Sequence, residues 1–283
     1  MPRIQVIKSG YYDTLQDLGR LGMTSFGVPI SGVMDVISAK MANALLENSH
    51  DCAVLEMTLT GPTLLFQKET IIAISGADMS PKLNEKPVRL QSKININTGD
   101  ILSFGHSKYG CRCYLAVKNG FKSERILNSL SFYKNVTKTN KLEKGHELYI
   151  APQSHLPQSD NSHIKVDTQI FNTSNLIVSK GSEFDFLTGR QKKFLLSNTF
   201  QIALNSRMGY QFKTTSALAH KHEMLTSSVM PGTVQLTQSG KIIALMRDCQ
   251  TTGGYPRILQ ITDKSQCVLA QKNTFQKVNF SLK

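Results

Sequence analysis

The sequence predicts a mainly β protein. Three observations carry that prediction: apolar runs of strand length that stop at glycine, shorter runs that alternate, and helical spacing in only two places. Residues 34–46 are the first helix expected, with Ile37, Met41, Ala44 and Leu45 on one face. Asp35 falls in its first turn, where a carboxylate suits the helix dipole. Thr70-Ile71-Ile72-Ala73-Ile74-Ser75 is an apolar strand closed by Gly76. Residues 93–97 alternate and then turn at Thr98-Gly99-Asp100. Residues 110–117 are a further strand, which puts Cys111 and Cys113 on one face. Thr188-Gly189-Arg190-Gln191 has the form of a capping box ahead of Phe194 and Leu195, the second helix. Residues 241–246 and 257–261 are strands on either side of an unusual polar run.

With 283 residues, 40% hydrophobic and 19% charged, the chain is globular and can hold one large or two modest domains. It has no apolar run long enough to span a bilayer, and residues 1–7 enter a strand pattern without the apolar core of a signal peptide, so a cytoplasmic location is expected. Five scattered cysteines argue for packing rather than a disulfide framework, and the lone C-x-C lacks a second ligand pair for a metal. The net charge of +13 raises the question of nucleic acid. The lysines are spread along the chain and aromatics are few, so a solvated lysine-rich surface is preferred; an anionic substrate or acidic partner comes next. A polar stretch from about 135 to 175, with Pro152, Ser154, Pro157 and Ser159, reads as a linker or a long excursion. The division expected is residues 1–130, with the Gln16–Arg20 and Ser31–Asp35 motifs, and residues 131–283.

The most informative run is Asp248-Cys249-Gln250-Thr251-Thr252-Gly253-Gly254-Tyr255-Pro256. Its glycine pair allows close backbone approach, and Gln, Thr and Asp supply donors and acceptors that a turn does not require. A plain turn between two strands is the competing reading. A second cluster holds Gln16-Asp17-Leu18-Gly19-Arg20, Gly27-Val28-Pro29-Ile30-Ser31-Gly32-Val33-Met34-Asp35, Asn43 and Glu56. Arg20 is either a bidentate anion clamp or half of a structural ion pair; Asp35 is either a base or a helix-start acid; Glu56 is either a base or a solvated strand residue. A third cluster offers Arg207 as another anion clamp and Gln235 as an amide contact. No phosphate loop, dinucleotide fingerprint, zinc-protease helix or serine elbow occurs, and the seven histidines are dispersed.

In their order, these motifs resemble one family over nearly the whole chain. The Q-D-L-G-R, G-V-P-x-S-G-x-M-D, A-N and L-E-x-T-L-x-G-P series, Ser75-Gly76-Ala77-Asp78, Arg-Met-Gly-Tyr, Pro-Gly-Thr-Val-Gln and D-x-Q-T-T-G-G-Y-P look like the C subunit of 5-oxoprolinase, the biotin-dependent carboxyltransferase family of the allophanate hydrolase subunit 2 or KipA type. The resemblance implies a cyclophilin-like β-barrel, assigned to residues 131–283. It implies two partners in one assembly, a KipI-type protein and a LamB/YcsF-type protein. The assembly would open 5-oxo-L-proline to L-glutamate with hydrolysis of ATP, with Mg2+, and without biotin attached to this chain. The catalytic positions it implies are Asp248, Glu56 and Arg207. The substrate- or nucleotide-binding positions are Arg20, Asp35, Asn43, Gln235, Gln250, Thr251, Thr252, Gly253, Gly254 and Tyr255, with no metal ligand. Arg20 or Arg207 would hold a carboxylate or phosphate, Asp248 or Glu56 would orient water or a metal-bound nucleotide, and the Thr251–Gly254 stretch would bind oxyanion charge.

The chain departs from the family pattern at Asn128-Ser129-Leu130-Ser131-Phe132, in place of G-S-R-S-T, at Lys180-Gly181-Ser182, and at Thr237-Gln238-Ser239-Gly240. Two other functions stay open: the carboxyltransferase part of a urea carboxylase-like system, and a KipA-type regulator that sequesters a kinase inhibitor.

Overall fold

The computed structural model describes residues 3–151, 169–213 and 216–283. They form two units. The first takes residues 3–20 and 31–151, and the second takes residues 21–30, 169–213 and 216–283. The division therefore does not fall at residue 130, because the following stretch is stitched into the first unit. The Phe132 N–H donates to the Leu15 carbonyl at 2.8 Å and the Leu142 N–H to the Asp13 carbonyl at 2.7 Å. Glu147–Ile150 then pairs antiparallel with Arg3–Lys8. Pro152, Ser154, Pro157 and Ser159 lie outside the described residues.

In the first unit a five-stranded sheet is covered on both faces. Its order is Tyr12–Gln16, Val54–Thr58, Tyr109–Val117, Thr70–Asp78, Lys93–Ile96. Burial on both faces explains why the run at 70–76 is continuously apolar rather than alternating. Ile72 and Ile74 join Leu55, Met57 and Leu115 in a core with Ile4, Val6, Phe66 and Leu102 of a seven-stranded sheet. That sheet runs Phe121–Lys122, Glu147–Ile150, Arg3–Lys8, Thr63–Phe66, Ile101–Ser103, Lys82–Leu83, Lys86–Pro87. Ile71 and Ala73 point the other way and pack with Ala39, Ala42 and Leu45 of the helix Val36–Leu45.

This helix is the one expected, with a different buried face. Ser38, Ala39, Ala42, Asn43 and Leu45 are buried, while Ile37 is 43% exposed and Ala44 also faces out. Small side chains let the helix lie close to the sheet, and the two polar ones are spent locally. Asp35 is the N-cap: its carboxylate accepts from the Ser38 N–H at 3.1 Å and the Ser38 hydroxyl at 2.6 Å.

Asp13, 1% exposed, stands among the apolar side chains of this unit. One carboxyl oxygen accepts from the Gly10 N–H at 2.6 Å and the other has no partner. Burial raises its pKa from 3.8 to about 7, against the opposing effect of the Gly10 bond. A raised carboxyl favours the protonated folded state, so its stability contribution is fullest below pH ~3.8 and is lost as pH climbs toward ~7. The displacement corresponds to roughly 4 kcal/mol. Asp13→Asn keeps the Gly10 acceptor and removes the ionisation. Thermal melts near pH 5 and near pH 8 should show the wild type losing stability that the variant keeps; equal losses in both proteins would remove Asp13 from the account.

The second unit is built on a closed seven-stranded barrel, as the cyclophilin-like expectation required. Its order is Asn175–Lys180, Arg257–Ile261, Thr233–Leu236, Ile242–Leu245, Gly209–Phe212, Thr199–Asn205, Lys277–Leu282. Every pairing is antiparallel except the closing one, Asn175–Lys180 with Lys277–Leu282. Closure removes the sheet edges. Val178, Phe200, Ile202, Phe212, Val234 and Phe280 are among the side chains buried in this unit, with Phe280 ring centroids 5.6 and 5.7 Å from those of Phe200 and Phe212. Helix Gly189–Ser197 starts at the expected capping box, Thr188 with Gln191. No helix among the described residues is long and apolar enough to cross a membrane.

Candidate active site

The residues singled out from the sequence divide between the units. Arg20, Asp35, Asn43 and Glu56 belong to the first; Arg207, Gln235, Asp248 and the Gln250–Tyr255 run belong to the second.

In the first unit Arg20, Asp35 and Glu56 are all buried, with Asp35 ending the 31–35 loop and Glu56 bonded to it. The Val33 N–H donates to the Asp17 carbonyl at 2.9 Å. Gly32, at φ 85°, lies so close to the Leu18–Gly19 backbone that a Cβ would come within 2.8 Å of it. Glu56, 1% exposed, accepts from the Met34 N–H at 2.7 Å and from the Tyr114 hydroxyl at 3.0 Å, with the Arg112 guanidinium 3.8 Å away. The Tyr114 oxygen also accepts from the Asp35 N–H at 2.8 Å. Burial, with the Glu56 and Asp35 carboxylates beside it, holds the Tyr114 phenol well above its ordinary pKa, so it remains the donor to Glu56. Arg20 has no exposed surface and donates to the Ser131 carbonyl. Asp17 accepts from the Ser129 and Ser131 hydroxyls, both at 2.7 Å, and from the Leu130 N–H at 2.6 Å. The divergent 128–132 run thus serves as a clasp for the Gln16–Arg20 motif. Asn43 uses both ends of its amide: it donates to the Cys52 carbonyl at 2.8 Å and accepts from Asn48 at 3.1 Å.

In the second unit the polar residues sort into an inner and an outer set. Arg207 and Asp248, both buried, form a bidentate pair at 2.8 and 3.1 Å. The carboxylate that Arg207 clamps is therefore the chain's own. The Asp248 N–H to Arg207 carbonyl bond and the Met246 N–H to Met208 carbonyl bond, each 2.9 Å, strap the two loops together. Cys249 is buried, and burial pushes its thiol up to about 12, so it is no nucleophile near neutrality. Gln235, 1% exposed, donates to the Tyr255 carbonyl at 3.3 Å and accepts from Gln250 at 3.5 Å. Gly253 lies against that amide, where a Cβ would meet the Gln235 nitrogen at 2.6 Å. Thr252–Gly253 also pairs with Ser227–Ser228.

Outside this backing, Gln250, Thr252, Gly254 and Tyr255 face solvent. Gly254, Tyr255 and Pro256 line a cavity of about 300 Å³ with His222, Glu223, Met224 and Gln238. The end of the run, Gly254–Pro256, is the part that walls this cavity. Arg257 anchors its far end, gripping Glu183 at 2.7 and 2.9 Å and the Ser228 carbonyl at 3.1 Å. That guanidinium, hydrogen-bonded to Glu183, holds the Glu183 carboxyl below its usual range.

The cavity does not fit ATP. Its volume is at the small end for ligand sites, no Lys or Arg lines it, and Glu223 would oppose a polyphosphate. Its polar side chains are those of His222, Glu223, Gln238 and Tyr255. Sequence reasoning missed Arg112, Tyr114, Ser131, Glu183, Arg257 and the position of His222; Arg257, two residues past Tyr255, was the one with a local signal.

The family described as carboxyltransferase domain, subdomain A and B, matches residues 26–282. A Haemophilus influenzae protein named as the C subunit of 5-oxoprolinase is 32% identical, over 94% of this chain and 87% of its own length. A protein of the same name from Escherichia coli K12 is 29% identical, over 98% and 90%. The crystal structure of the Kluyveromyces lactis urea amidolyase superposes with a TM-score of 0.87 at 22% identity, over 98% of this chain and 18% of that one. The chain spans about half or less of the solved chains it matches.

Proposed function

The chain belongs to the carboxyltransferase-domain family, subdomain A and B, and on that premise we propose that it is the C subunit of an ATP-dependent 5-oxoprolinase. The observation that carries this reading is the match, over nearly the whole of both chains, to two proteins of that name. The assembled enzyme opens 5-oxo-L-proline to L-glutamate together with a KipI-type partner and a LamB/YcsF-type partner. A lactam is a poor electrophile, so ring opening needs coupling to ATP in the assembly; the nucleotide sits outside the 300 Å³ cavity of this chain.

The role assigned to this chain is to hold the lactam against the 250–256 wall. The Gln250 amide, the Thr251 and Thr252 hydroxyls and the Gly253–Gly254 backbone offer donors where charge develops on the carbonyl oxygen. Asp248 and Arg207 hold the base of that wall through their own ion pair. Asp35 and Glu56 hold the 31–35 loop in shape, and Arg20 ties its own motif to Ser131.

The carboxyltransferase description of the family favours a second reading, transfer of a carboxyl group carried on another protein's biotin. Coexpression of the three proteins separates the two. The purified complex should release glutamate from 5-oxoproline in step with ATP hydrolysis and should transfer no carboxyl group from a pre-carboxylated biotin carrier to urea. Activity on the carrier, with none on 5-oxoproline, reverses the choice.

A further inference from the structure

We propose that the first unit carries a ligand site of its own, a cavity of about 550 Å³ beside the Phe121–Lys122 and Glu147–Ile150 strands, which binds a small aliphatic carboxylate. Its volume lies within the range of small-molecule sites. The floor is apolar: Phe132, Leu142 and Leu148 are buried and Leu130 is half-buried. Both sheets of this unit fix the floor, since Leu148 lies on a strand of the seven-stranded sheet and the Phe132 and Leu142 backbones are bonded to the strand Tyr12–Gln16 of the five-stranded one.

The polar rim decides the ligand's charge. Both acids are already engaged. Glu147 accepts from Arg3 at 2.8 and 3.0 Å and from the Tyr149 hydroxyl at 3.2 Å. Glu124 pairs with Lys138 at 3.5 Å. The Thr137 hydroxyl is spent on the backbone of Tyr133 and Thr139. Lys122 lines the cavity and, unlike Lys138, is in no salt bridge with a carboxylate among the described residues; its charge reaches the Cys52 thiol. His146 accepts the Glu143 N–H on Nδ1 at 3.2 Å, which assigns the neutral ring's proton to Nε2. The groups still available are therefore a cation and N–H or O–H donors set over an apolar floor. A carboxylate head with an aliphatic body satisfies both, whereas a bare phosphate leaves the floor unfilled.

The test is an NMR titration of the isotope-labelled full chain with acetate, butyrate and hexanoate, and separately with inorganic phosphate. Hexanoate should shift the amides of residues 122–149, and each added methylene should tighten binding about fourfold, the equivalent of ~0.8 kcal/mol. Lys122→Ala should weaken hexanoate roughly tenfold or more, and Lys122→Arg should retain most of the affinity. Lys122 is exposed, so neither change threatens the fold, and a melting curve confirms it. The proposal is overturned if hexanoate shifts nothing in this region, if affinity does not rise with chain length, if phosphate displaces hexanoate, or if Lys122→Ala binds as the wild type does.

Discussion

Arg207→Ala should destabilise the second unit by about 3–5 kcal/mol, the usual cost of stripping one partner from a buried ion pair. The substitution leaves the Asp248 carboxylate, 6% exposed, without the guanidinium that grips both its oxygens. Asp248→Asn should cost a comparable amount for the opposite reason, because the buried charge is then the arginine's. Replacing both at once, Arg207→Met with Asp248→Leu, removes the charges together and should recover much of the loss. Urea unfolding of the four proteins compares these costs. Single variants within ~0.5 kcal/mol of wild type would mean that the pair does not hold the loops, and would return Arg207 to the role of a substrate clamp. The distinction bears on function, since the strap sits directly before the 250–256 wall.

Glu56→Ala is the counterpart in the first unit, with a further expected loss of about 3–5 kcal/mol. It removes the acceptor for the Met34 N–H and the Tyr114 hydroxyl, and leaves the Arg112 guanidinium, 2% exposed, without its carboxylate. Glu56→Gln keeps the shape and should cost less, roughly 1–3 kcal/mol. Hydrogen exchange adds a local readout: the Met34 and Asp35 amides should lose protection before the rest of the sheet does. If Glu56→Ala melts with the wild type and these amides stay protected, the network does not shape the 31–35 loop.

Local features of this fold were legible in the sequence and long-range ones were not. The Thr188–Gln191 capping box spans four residues, and the structure keeps it. The strands at 70–76, 110–117 and 257–261 were readable because burial demands apolar side chains wherever the partner strand comes from. The buried face of Val36–Leu45 was misread because hydrophobicity ranks Ile37 above Ser38, while the cap at Asp35 and the close approach to the sheet turn Ser38 inward. The polar residues themselves were legible and their partners were not. For Arg20 an anion clamp and a structural ion pair both stayed open, and for Glu56 a base and a solvated strand residue; Ser131, Arg112 with Tyr114, and Asp248 lie 41 to 111 residues from Arg20, Glu56 and Arg207. The domain boundary was illegible for the same reason, since long-range backbone bonds, Phe132 to Leu15, Leu142 to Asp13 and Glu147–Ile150 with Arg3–Lys8, tie that stretch to the first unit. The 248–256 run stood out because its polar and glycine pattern is contiguous, and its end, Gly254–Pro256, lines a cavity.

Omitting this chain from the reconstituted enzyme shows whether it supplies a necessary part of a 5-oxoprolinase. ATP-dependent glutamate formation should require all three proteins, be absent from the KipI-type and LamB/YcsF-type pair alone, and return when the purified chain is added back. Glutamate formation by that pair at the full rate, or none by the complete complex, would contradict it.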